Sequence, residues 1–139
     1  MSTRLVTFTL DDRMYGVGVA AVQEVLRGLP RTRIPLAPQT LAGLINLRGQ
    51  VLSAVDLREQ LQLPPRSTDH EPMLVVIRVA GEPVAFLVDS IGSVVDVEDD
   101  QFESPPDTLS GPSRELILGA YKLDDQLLLA LDVDRAVAA

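Results

Sequence analysis

Apolar and polar positions alternate from the start of the chain. Over residues 4–10, Val6, Phe8 and Leu10 fall on one face and Leu5, Thr7 and Thr9 on the other, the period of a β-strand. Asp11-Asp12 is turn chemistry. Tyr15–Val19 alternates again, so the two runs read as a hairpin. Residues 20–26 suit a helical turn with Val22, Val25 and Leu26 on one side, and Pro30, Pro35 and Pro38 exclude a long helix beyond it. GLINLRGQVLSAVDLR, from Gly43, gives two apolar strands around the polar step Asn46-Leu47-Arg48-Gly49, followed by a short amphipathic turn over Leu57 and Leu61. PPRSTDHEP, residues 64–72, reads as a polar linker. Met73–Val79 and Val84–Val88 form another hairpin around residues 80–83, and Ile91–Val97 is a further apolar stretch. Residues 98–115 are acidic and proline-containing and read as a loop. Leu116–Leu123 and Gln126–Leu131 make a last hairpin turning at Asp124-Asp125, and a short helix is expected over residues 135–139.

The same order of elements occurs twice. GLINLRGQVLSAVDLR matches GAYKLDDQLLLALDVD, from Gly119, at six of sixteen positions, among them Gly43 with Gly119, Gln50 with Gln126 and Asp56 with Asp132. The opening hairpins align as well, Phe8 with Ile77 and Val17 with Phe86. Two related units follow, approximately residues 4–63 and 73–139, with an exchange of strands between them as one arrangement open to them. Hairpins this short close readily into small barrels, which leaves no sheet edge exposed. Residues shared by both copies serve the fold, so Asp56 and Asp132 are expected to cap the helical turns that follow them. Residues found in one copy have no such common cause. Arg48 stands where the other copy has Asp124, and Arg58 where it has Asp134.

Composition narrows the chemistry. At 139 residues the chain is of ordinary domain size and needs no metal or disulfide to fold. It has no cysteine, which excludes a thiol nucleophile and a thiolate metal site and fits the cytosol. A net charge of −8 is the wrong sign for nucleic acid or an anionic membrane surface. No apolar run approaches the ~18 residues of a membrane helix, so no membrane insertion is expected. The single histidine, His70, lies in the polar linker without an orienting partner. Asp96, Glu98 and Asp100 have the alternate spacing of a calcium loop but lack its glycine and its final glutamate, and read as a solvated acidic segment. There is no phosphate-cradling glycine loop and no tryptophan.

The motif NLRG, an apolar strand, then VDLR resembles the signature of the CheW family, the adaptors of bacterial chemosensory arrays. The likeness extends over LVTFTLDDRMYGVGVAAVQEV and VAFLVDSIGSVVDV, and so over nearly the whole chain. The resemblance implies an all-β fold of two five-stranded barrels of the Src-homology type, packed around an apolar groove, with a few short helices. It implies no catalysis, no metal and no cofactor. It implies two partners, the regulatory domain of the histidine kinase CheA and the cytoplasmic tip of a chemoreceptor. Carried over by position, Asn46, Arg48 and Gly49 match the motif at the receptor-facing groove, Val19, Val22 and Glu24 match the segment lining it, and Gly43 matches a position near the kinase contact. Ser53 stands where the family has a proline, which adds an N–H donor and leaves that strand's edge less protected. Two other readings stand beside this one. One is a CheW-like adaptor that serves pili, gliding or gene expression rather than flagella. Or the chain is a small ligand-binding barrel or enzyme, which requires a titratable cluster in a concave site.

Overall fold

Why a chain of short hairpins builds two sheets is visible in its turns. The computed structural model describes residues 2–27, 41–64, 72–105, 111–123 and 126–137. Among these residues eleven strands run in chain order: β1 (Ser2–Leu10), β2 (Arg13–Gly18), β3 (Val22–Arg27), β4 (Leu41–Leu47), β5 (Gln50–Asp56), β6 (Met73–Val79), β7 (Glu82–Val88), β8 (Ser90–Glu98), β9 (Phe102–Glu103), β10 (Ile117–Lys122) and β11 (Leu127–Leu131). Three short helices join them: α1 (Leu57–Gln60), α2 (Pro112–Glu115) and α3 (Val133–Val137). Three hairpins turn on two residues with positive φ: Asp11-Asp12, Arg48-Gly49 and Ala80-Gly81. Positive φ at both central residues is the turn whose twist matches that of paired strands.

The strands form a six-stranded sheet, in the order β8-β1-β2-β11-β10-β9, and a five-stranded sheet, β3-β6-β7-β5-β4. Each sheet takes a hairpin from either half of the chain. β11 lies parallel to β2, with Ala130 opposite Gly16, and β5 lies parallel to β7, with Ala54 opposite Ala85. Both sheets curl. In the first, the outermost strands β8 and β9 are joined by only one 3-10 turn, Asp99–Gln101, so its two ends lie side by side. The Gln101 side-chain oxygen holds that turn by accepting the Glu98 N–H at 3.0 Å.

The repeat in the sequence reappears as repeated geometry. Gly43 and Gly119 each follow a β-bulge and face Ala54 and Ala130. Gly43 has a φ of 144°, which favours glycine. Asp56 Oδ1 accepts the Arg58 N–H at 3.0 Å at the start of α1, and Asp132 Oδ1 accepts the Arg135 N–H at 3.2 Å at the start of α3, the capping that the repeat predicts. α1 and α3 meet where the buried Gln60 amide donates to the Ala136 carbonyl.

Three apolar clusters follow. Ile45, Leu52, Leu74 and Leu87 fill the five-stranded sheet, and Leu5, Val97, Tyr121 and Leu128 fill the other. The largest joins the two, with Phe8, Leu10 and Tyr15 of one sheet against Ile77, Phe86 and Val88 of the second. Phe8 and Tyr15 stack there, ring centroids 6.0 Å apart.

Several elements differ from the sequence reading. Residues 20–26 form a helical turn only over Val19–Ala21. From Val22 the chain is the strand β3, because alternate burial of Val22, Glu24 and Leu26 lets it pair with β6. Residues 98–115 are not simply a loop, since they carry the Asp99–Gln101 turn, β9 and α2. The last helix starts at Val133, directly after its cap. β5 is flanked by β4 and β7, so Ser53 is on an interior strand and leaves no edge open. Pro30, Pro35, Pro38, His70, Asp124 and Asp125, and residues 65–71 of the expected linker, lie outside the described residues.

Candidate functional site

The β4–β5 turn is built by its neighbours before its arginine enters. Asn46 Oδ1 accepts the Gly49 N–H at 3.0 Å, and Gly49 takes φ 85° beside Arg48 at 53°. The turn thus projects Arg48 from its tip. Arg48 Nη1 donates to Glu24 Oε2 at 2.6 Å, with the arginine side chain 69% exposed and the glutamate 21%. Glu24 lies on β3 and Arg48 beside β4, the opposite edges of the five-stranded sheet, so this ion pair spans from one end of the curled sheet to the other. The hydrogen bond to Glu24, then its charge, raises the Arg48 guanidinium above its ordinary pKa. Glu24 Oε1 is buried with no hydrogen-bond partner among the described residues, an acceptor left unfilled beside an exposed cation.

The remaining expected residues divide. Val22 precedes Glu24 on β3, half-buried and packed against the cluster between the sheets. Val19 sits on the 3-10 turn before it and is partly exposed. Asn46 and Gly49 belong to the arginine's own turn. Gly43 is buried at the bulge, three residues before Asn46 and thus about 10 Å along the strand, and is not brought to the ion pair.

One residue escaped the sequence reading, and a second was singled out there without its partner. Val51, opposite Asn46, is 61% exposed, an apolar side chain on the solvent face of β5 next to the turn. Its signal was a valine at an outward position between Gln50 and Ser53. The second is Arg58, the final residue of VDLR. It donates through Nε to Asp89 Oδ1 at 2.8 Å and through Nη2 to Oδ2 at 2.5 Å, both side chains no more than 15% exposed. The hydrogen bond to Asp89 raises its pKa, while burial acts the other way. Asp89 also accepts the Asp11 N–H at 3.0 Å. This arginine therefore fastens α1 to the end of β7 and the β1–β2 turn.

Among the described residues no three His, Cys, Asp or Glu side chains are grouped to hold a metal ion. Asp96 pairs with Arg4 at 3.0 Å on β8. The fold and the site define a β protein of two curled sheets whose distinctive surface is a charged, apolar-flanked hairpin tip. The CheW-like domain model matches residues 4–139, and the chain belongs to that family. It is 27% identical over 130 residues to the probable chemotaxis protein CheW of Rhizobium etli, covering 94% of this chain and 84% of that one. It is also 27% identical over 131 residues to the chemotaxis protein CheW of Bacillus subtilis, with the same coverage. The scaffolding protein TtCheW from Thermoanaerobacter tengcongensis has the same fold, with a TM-score of 0.90, 24% identity, and coverage of 100% of this chain and 94% of that one.

Proposed function

We propose that this chain is a non-enzymatic adaptor of a bacterial chemosensory system, coupling the regulatory domain of the kinase CheA to the cytoplasmic tip of a chemoreceptor. It acts in the cytoplasm, recruited to receptor arrays. The observation that carries the reading is Arg48. The Asn46–Gly49 bond shapes its turn without it, and Glu24 engages only Nη1, so the other guanidinium donors remain directed at solvent. Arginine of this kind, with the exposed Val51 beside its turn, suits a carboxylate or helix-end carbonyls on a partner. Val22 and Glu24 complete the receptor-facing surface, and Gly43 shapes the strand on the kinase side. Nucleic acid and membrane are not partners. Among the described residues no helix is long and apolar enough to cross a membrane.

The test is a pull-down with the isolated kinase regulatory domain and, separately, with a receptor cytoplasmic fragment. Both are retained by the wild-type chain, and adding it to kinase and receptor raises kinase autophosphorylation. Val19→Asp, at an exposed position, loses the receptor and keeps its fold. Failure to retain either partner overturns the adaptor reading, and saturable nucleotide binding by the chain alone points to the enzyme alternative.

A further inference from the structure

The curled six-stranded sheet leaves a cleft of about 440 Å³, walled by Leu5, Val17, Leu118 and Tyr121 and edged by Phe102 and Asp99. Mostly apolar clefts of this size with a few convergent polar groups hold small organic molecules. None of the residues assigned to the adaptor surface lines it.

Three observations define an occupant. The rim is apolar and open, with Phe102 43% and Leu118 56% exposed. Phe102 and Tyr121, both lining the cleft, form a tilted aromatic pair, centroids 5.1 Å apart, and aromatic rings of this kind attract a cation. The charge beside them has one sign. Residues 96–105 include five acids and no base. Arg4 and Lys122 answer two of these acids, Asp96 and Glu103. Asp99, on the cleft itself, accepts the Thr3 hydroxyl hydrogen at 3.0 Å, which fixes its carboxylate at the mouth.

We propose that this cleft binds a small organic cation with an aromatic or apolar body, of the arylalkylammonium class. The body lies against Leu5, Val17 and Leu118, and the ammonium sits between the Asp99 carboxylate and the Phe102–Tyr121 pair. An anion of the same shape meets repulsion there, and a neutral analogue gains the apolar contact alone.

The test titrates 2-phenylethylammonium chloride into the full chain, followed by amide NMR shifts, with 2-phenylethanol and phenylacetate as comparisons. Shifts are expected at Gly16, Gly18, Phe102 and Tyr121, with the cation held at least about fivefold tighter than the alcohol, a ratio that shrinks as salt is added. Asp99→Asn keeps an acceptor for Thr3 and reduces the cation to the alcohol's affinity. Gly18→Leu places a side chain where an added Cβ meets nothing within 4 Å, at an ordinary φ of −59°, and removes binding of both probes while the melting curve stays intact. Equal affinity for the three probes overturns the proposal, as do shifts that avoid the cleft, or binding that survives Gly18→Leu.

Discussion

Arg48 keeps a backbone conformation that side chains with a Cβ rarely adopt, yet its guanidinium is mostly in water. An exposed ion pair contributes little to folding because solvent screens it. The strain is therefore retained for position rather than stability. Arg48→Ala should weaken receptor or kinase binding at least about fivefold and move the melting temperature by no more than about 3 °C. Calorimetric titration and a thermal melt on one mutant check both; a large drop in melting temperature would make the Glu24 pair a structural tie. Tyr15 is the opposite kind of residue, buried in the cluster between the sheets. Burial, first among its causes, raises its phenol pKa. The unfolded chain then ionises first, near pH 10, so stability present below that pH is lost as pH rises through the higher folded value. Urea midpoints at pH 8 and pH 11 should fall steeply for the wild type and less for Tyr15→Phe.

The elements show what could be read from sequence. Hairpins with alternating faces and turn residues were legible, since their signal is local: Arg4–Leu10 and Met73–Val79 fall within β1 and β6. Asp56 and Asp132 were legible because repetition separates fold from function. β3 was not, since Val22–Leu26 fits helical and strand periods alike and only β6 decides between them. Nor was β9, two residues whose pairing depends on a glycine across the sheet. At the site, the Asn46–Gly49 bond is local, between residues three apart, whereas the Arg48–Glu24 pair joins edges that sequence spacing does not relate. An added Cβ at Gly119 would collide with the Phe102 ring and the Glu103 carbonyl. Gly119→Ala should accordingly release β9, and hydrogen exchange should quicken at Phe102 and Glu103 by at least tenfold while β1 and β6 amides stay protected.

At the scale of the whole molecule, the two sheets are held by the shared cluster and by Arg58–Asp89. Removing one partner of a part-buried, bidentate pair leaves the other charge without its counter-ion, at up to about 3 kcal/mol. Arg58→Met or Asp89→Leu alone should each lower stability by about that much, and the double variant by clearly less, as measured by urea unfolding. A double variant as unstable as the sum of the singles would mean that the two side chains act separately.

The placement of β11 against β2 also sets a schedule. Met14 is opposite Leu128, so β2 waits for a strand made more than a hundred residues later. At ribosomal speeds that wait is on the order of ten seconds. Through part of that wait Phe8, Leu10 and Tyr15 of the nascent β1–β2 hairpin lack Ile77, Phe86 and Val88, the β6 and β7 side chains that cover them in the folded chain, and the six-stranded sheet cannot close until β11 has emerged.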